Sequence, residues 1–164
     1  MKKTAVAVTG LLLLASVPLV DGSNGSPAAT AVQPRLAGVD GLVNISVHET
    51  WEMLQNESDG REAVIDVRTF PEWFNERIAT PHWYDKPILY PLHFIEIPLF
   101  RSLFRLAFEG NEVILYCRSA NRSCIAGNLL VDEGFVGTVY NMAGGIVAWK
   151  AASLPVVKGF GFGS

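Results

Sequence analysis

An α/β layered domain with parallel strand connections is the fold class this sequence predicts, and three observations predict it. Short β-branched apolar runs recur at Ala63 to Val67 (AVIDV) and Glu112 to Tyr116 (EVILY), the composition of strands buried on both faces. Helix-start chemistry stands between such runs. The intervening stretches are long enough for the crossovers that parallel pairing requires.

In chain order, Leu42 to Ile45 is a short strand, and Ser46 with Glu49 forms a capping box that opens a helix to about Asn56. AVIDV is a buried strand. Thr69, Pro71 and Glu72 open a further helix, with Trp73 and Ile78 placed to pack inward. Ile95 to Leu99 (IEIPL) reads as a short strand and Ser102 to Phe108 as a helix with an apolar face. EVILY is the central strand, followed by a tight loop at Cys117 and a helix from about Asn121 to Glu133. Gly137 to Asn141 gives the last strand. Gly145 to Ala152 gives the last helix, in which Trp149 fills core space.

The 164-residue chain opens with Lys2 and Lys3, then an apolar run from Ala5 to Val20 broken only by Thr9, Gly10, Ser16 and Pro18. Residues 1–22 therefore read as a signal peptide, with an uncleaved anchor as the alternative, and an exported, periplasmic or extracellular, domain is expected. Residues 23–39 (Ser, Gly, Pro and Ala-rich) are a flexible linker, residues 40–158 the folded domain, and the Gly-rich residues 159–164 a disordered tail. The formal charge is −3, and loss of the leader, with two lysines and Asp21, makes the remainder one unit more acidic. Such a balance, with no basic stripe, excludes nucleic acid as a partner, and membrane contact is expected only through the N-terminal segment.

Two cysteines, Cys117 and Cys124, make no disulfide framework. The order strand, tight loop, helix in EVILYCRSANRSCIAGNLL sets the Cys117 thiol at a strand tip. There it faces successive backbone N–H groups and the start of a helix, an environment that favours a sulfur anion. Arg118 and Arg122 strengthen the field, and Ser119, Ala120 and Asn121 complete the loop. The competing reading of Cys117 is a small buried hydrophobe that ends a core strand. Cys124 is a helix-packing residue, or else a redox partner that captures Cys117 as a reversible disulfide. His48, His82 and His93 lack ligand spacing, so neither a metal nor another cofactor is expected.

These residues carry a resemblance. CRSANRS is similar to the active-site loop of rhodanese domains; DVRTFPEW, IEIPL and VYNMAGGIVAWKAASLPV resemble three further segments of that family in the same order. The resemblance implies a three-layer fold with a central, mostly parallel five-stranded sheet flanked by helices. It further implies sulfurtransferase chemistry in which Cys117 takes sulfane sulfur from a donor such as thiosulfate, within the amides of Arg118 to Arg122. The other half of the reaction is delivery to a small thiol, cyanide or a protein acceptor. Asp66, Arg68 and Glu72 fall where the family ties strand ends to loops, and read as scaffold. A non-catalytic sulfur-carrier, redox-sensing or protein-binding module is the alternative. Cysteine phosphatases use C-x5-R, whereas here position 123 is Ser and the arginine comes one residue early.

Two departures from the family pattern carry expectations. Ala120 stands where similar loops have glycine, so a left-handed backbone there would cost about 1 kcal/mol. The family's Gly-His-Ile-Pro-Gly-Ala stretch is replaced by Glu76 to Pro81, followed by an aromatic insertion over residues 82–94. Packing of Trp83, Tyr84, Tyr90 and Phe94 is the expected role of that insertion, a lid or partner surface being the alternative.

Overall fold

A computed structural model describes residues 41–56 and 62–160, all within the compact unit Arg35–Ser164. The expected leader, the linker up to residue 40 and residues 161–164 lie outside the described residues.

Strand β1 (Leu42–Ile45) leads into α1 (Val47–Asn56), whose capping box is present: Glu49 N–H donates to Ser46 Oγ and Ser46 N–H to Glu49 Oε2. Next come β2 (Glu62–Asp66), α2 (Phe70–Asn75), β3 (Arg77–Ile78) and β4 (Ile88–Leu89). The second half comprises α3 (Leu92–Glu96), α4 (Pro98–Phe108), β5 (Glu112–Tyr116), α5 (Asn121–Asp132), β6 (Val139–Met142), α6 (Gly145–Ala151) and β7 (Val156–Val157). Five strands form one sheet in the order β1-β6-β5-β2-β4, and every pairing in it is parallel. β3 and β7 form a separate antiparallel ribbon that joins the chain's middle to its end.

The sheet separates two apolar clusters, and strand parity decides which residue serves which. On β5, Val113 and Leu115 face the side covered by α3, α4 and α5, where Ile95, Phe104, Ala126 and Leu130 pack; Cys117 continues that parity. Ile114 and Tyr116 face the other side, where α1 and α6 contribute Leu54, Ile146 and Trp149. Trp149 is fully buried, meets Trp51 edge-on, and donates its indole N–H to the Pro155 carbonyl at 2.8 Å. The architecture is thus three layers with the mid-sheet strand ends gathered on one edge.

Three expectations need correcting. Ile95 to Leu99 is not a strand: it contains the end of α3 and the start of α4, around Ile97. The alternation I-E-I imitates a strand, but Pro98 cannot donate to a ladder and is suited to the first turn of a helix, where its missing N–H costs nothing. The fifth strand is instead β4, inside the aromatic insertion. Within that insertion Trp83 is 78% exposed and Tyr84 50%, so they do not serve as core packing. Tyr90 does: its ring meets Phe104 edge-on and its hydroxyl donates to the Phe100 carbonyl. At the C-terminus, Gly159 N–H donates to the Phe74 carbonyl and the Phe160 ring packs on Phe74 at 4.6 Å, so the first two residues of the expected tail are held. No helix among the described residues is long and apolar enough to cross a membrane.

Candidate active site

Cys117 follows the last residue of β5, and the four residues to Ala120 turn the chain into α5. Ala120 makes that turn with φ 74° and ψ −8°, the left-handed conformation expected to burden an alanine. The turn brings the backbone N–H groups of Ser119, Arg122 and Ser123 onto the Cys117 sulfur. Ser123 adds its hydroxyl, with Oγ 3.6 Å from Sγ. The sulfur is almost fully buried. That burial alone would raise the thiol's pKa, but the Ser123 amide and hydroxyl and the Ser119 and Arg122 amides together outweigh it and leave it lowered from the ordinary 9.0. A cysteine that merely ended a core strand would show the first effect without the others. The start of the twelve-residue α5 also places helix-dipole charge next to the sulfur.

The loop is oriented from behind by α6. Ile146 N–H donates to the Cys117 carbonyl at 2.9 Å and Val147 N–H to the Arg118 carbonyl at 3.2 Å. In a trans peptide, C=O and N–H point in opposite directions. Fixing the Arg118 carbonyl toward α6 therefore turns the Ser119 N–H toward the sulfur. So close an approach requires glycine: Gly145 has φ 58°, and a Cβ there would strike the Cys117 carbonyl oxygen and lie 2.6 Å from the Arg118 carbonyl carbon. Ser123 and Gly145 were not identified as site residues from sequence. Ser123 was visible there only as the residue that replaces a phosphatase arginine, and Gly145 only as the first residue of the last helix.

The arginines behave differently from one another. Arg118 is exposed, and its guanidinium makes no hydrogen bond or ion pair among the described residues. Arg122 instead forks onto Glu72, with Nη1 2.8 Å from Oε2 and Nη2 2.6 Å from Oε1. Glu72 Oε2 also accepts from the Thr69 N–H at 3.1 Å and the Thr69 hydroxyl at 2.8 Å. Its carboxyl is held down to about 2, first by the Arg122 fork, against a raising effect of burial and with help from Thr69. Glu72 thereby clamps α2 to the first turn of α5 across 50 residues of chain. Asp66 and Arg68 form a buried pair at 2.6 Å, and Arg68 also donates to the Glu76 carbonyl at 2.7 Å and lies over the Tyr116 ring. Together these charges fix the end of β2 beside the cysteine loop.

Ser119 and Asn121 are exposed on the loop and at the first position of α5, and Ala120 is half-buried between them. Both cysteines are free thiols. Cys124 is half-buried, and its sulfur accepts from Asn128 Nδ2 at 3.6 Å, one helical turn on, while that of Cys117 faces Ser123. No cluster of three or more His, Cys, Asp or Glu side chains suited to a metal occurs among the described residues.

A cleft of about 200 Å³ opens beside the loop, lined by Val67, Arg68 and Thr69 after β2, by Pro91, Leu92, His93 and Glu96 of α3 and its approach, and by Arg122. Ligands of parallel α/β sheets sit at this edge, beyond the strand carboxyl ends. A larger cavity of about 370 Å³ lies between α2, β3, β4 and the C-terminal residues, and is lined by no residue of the cysteine loop.

Comparison with known proteins places the chain in a family. The family model "Rhodanese-like domain" matches residues 46–152. A sulfurtransferase of Allochromatium vinosum is 36% identical over 95 residues, covering 57% of this chain and 77% of the relative. The thiosulfate sulfurtransferase GlpE of Actinobacillus pleuropneumoniae is 28% identical over 115 residues, covering 70% of this chain and 93% of the relative. Among solved structures, a rhodanese-related protein of Thermoplasma volcanium superposes with a TM-score of 0.55 at 23% identity, covering 70% of this chain and 97% of that one. With the matched segment running from the helix after β1 through α6 and enclosing the whole Cys117 loop, this chain belongs to the rhodanese-like family.

Proposed function

We propose that the chain is an exported sulfurtransferase that carries sulfane sulfur as a persulfide on Cys117. The observation that supports this most directly is the convergence of the Ser119, Arg122 and Ser123 amides and the Ser123 hydroxyl on one buried sulfur. A terminal persulfide sulfur is an anion, and fixed donors in a water-poor site stabilise it without reorganising. The sulfurtransferase names of the relatives support the same chemistry.

The reaction divides into two displacements. The Cys117 thiolate attacks the outer sulfur of a sulfane donor, forming the Cys117 S–S bond as the donor's S–S bond breaks and its electron pair leaves with the departing group, sulfite in the case of thiosulfate. A thiolate acceptor, small or carried by a protein, then attacks the outer sulfur of the persulfide and returns Cys117 to the thiolate. Cyanide serves in the same position and yields thiocyanate. The N-terminal basic and apolar segment supports delivery outside the cytoplasm, with residues 1–22 removed or kept as an anchor.

Intact-mass measurement tests the reading. After exposure to a sulfane donor the protein should gain about 32 Da, the mass of one sulfur atom, and Cys117→Ser should gain nothing. Equal gain by both would remove Cys117 from the chemistry. A gain that no thiol or cyanide can discharge would favour the carrier or sensing module over the enzyme.

A further inference from the structure

The cations of the cleft are already spoken for. Arg68 is paired with buried Asp66, and Arg122 is forked onto Glu72, so each brings its own carboxylate to the site. Glu96, exposed at the end of α3, lines the same cleft and has no ion-pair partner among the described residues. Its backbone is fixed independently, since its carbonyl accepts from Arg101. Arg118 is the one other loop cation, and it is exposed and outside the cleft lining. The cleft meets the cysteine loop at Arg122, whose amide is turned to the Cys117 sulfur, and the carboxylate that lines it without an ion-pair partner among the described residues is Glu96, with His93 beside it on α3.

We propose that Glu96 is a specificity residue that disfavours dianionic sulfur donors, so that the sulfur carrier suited to this cleft is neutral, zwitterionic or cationic apart from its sulfane group. This deepens the sulfurtransferase reading and rests on it. The loading step itself is unchanged: the Cys117 thiolate forms a bond to the outer sulfur, and the donor's S–S bond breaks with its electron pair on the departing sulfite or sulfinate. What Glu96 changes is the cost of bringing the donor's remaining charge into the cleft. Placing like charges together is a common way to reject one ligand while leaving another untouched.

A graded donor series reads this directly. Thiosulfate, methanethiosulfonate and 2-aminoethanethiosulfonate present the same outer sulfur on bodies whose total charge is two negative, one negative and zero. Comparing Glu96→Gln with the unaltered chain, kcat/KM for loading at low salt should rise about five- to tenfold for thiosulfate. It should rise about two- to threefold for methanethiosulfonate and stay unchanged for the zwitterion. Glu96→Lys should enlarge the same gradient, and roughly 1 M salt should flatten it, because screening then acts within about 3 Å. The loaded protein is weighed in every case. If Cys117 gains sulfur from these donors but the ratio of variant to unaltered rate is the same for all three, the role of Glu96 is overturned and the transferase reading stands. If no donor loads Cys117 in either protein, the transferase reading itself fails.

Discussion

Ala120 holds the left-handed turn of the cysteine loop at a cost of about 1 kcal/mol to a residue with a Cβ. Replacing it with glycine should raise the urea midpoint by an equivalent amount at unchanged m-value, with sulfur loading retained, because the cradle geometry stays the same. Ser123 makes the opposite kind of contribution. Its hydroxyl helps hold the Cys117 pKa below 9.0, so Ser123→Ala should move the pH profile of Cys117 alkylation upward and slow sulfur loading by about tenfold, while the three amides keep part of the effect. The sequence disclosed Cys117 and residues 118–122 because a strand, a tight loop and a helix start are local, and their N–H groups follow in chain order. Ser123 escaped although a helix from about Asn121 was expected, because the rotation that turns residue 123 back onto the sulfur is set by the left-handed turn at Ala120. Arg122 was legible as a loop cation but its engagement was not, since Glu72 lies 50 residues away.

Two helices hold the loop in place, one by backbone contact and one by charge. The first turn of α6 takes the Cys117 and Arg118 carbonyls, and Gly145→Ala would drive a methyl into them. That variant should lose at least about a hundredfold in loading, the usual consequence of misplacing a reacting group by about an ångström. Gly110→Ala is the control, because Gly110 has φ 84° with nothing within 4 Å of its added Cβ. It pays the left-handed cost alone and should keep its activity. The α2 clamp is sensitive to acid. Glu72 is lowered from 4.5 to about 2, so its contribution to stability is present above about pH 4.5 and is lost as pH falls toward 2. In Glu72→Gln, urea midpoints measured through this range should lose that part of their acid dependence. The elements themselves were legible wherever pattern and length agreed, as for β2, β5 and α5. They were not at β4 and the β3-β7 ribbon, two-residue strands with no periodicity to detect and partners fixed only by the finished fold. The error at Ile95 to Leu99 came from trusting alternation over the proline that follows it.

At the scale of the whole molecule, one sheet keeps two apolar clusters apart, and Cys117 sits at the edge of only one of them. The layer arrangement was legible because buried parallel strands must be covered on both faces. The allocation of residues between the faces followed from parity, which places Leu115 and Cys117 together and Tyr116 opposite. Separation by the sheet has an energetic consequence. Ile95 on α3 and Ile146 on α6 are both buried, in opposite layers, with no neighbour cluster in common. Ile95→Val and Ile146→Val should each cost about 0.5–1.5 kcal/mol, and the double variant should equal their sum within about 0.5 kcal/mol. Sulfur loading divides them further: α6 holds the loop carbonyls with its backbone N–H groups, whereas Ile95 only packs in the same apolar cluster as Cys117. Ile146→Val should therefore slow loading more than Ile95→Val at matched loss of stability, with urea unfolding supplying the match. A coupling well above 0.5 kcal/mol, or equal losses of loading, would mean that the two faces communicate through the sheet and that the loop is positioned by the whole core, not by α6.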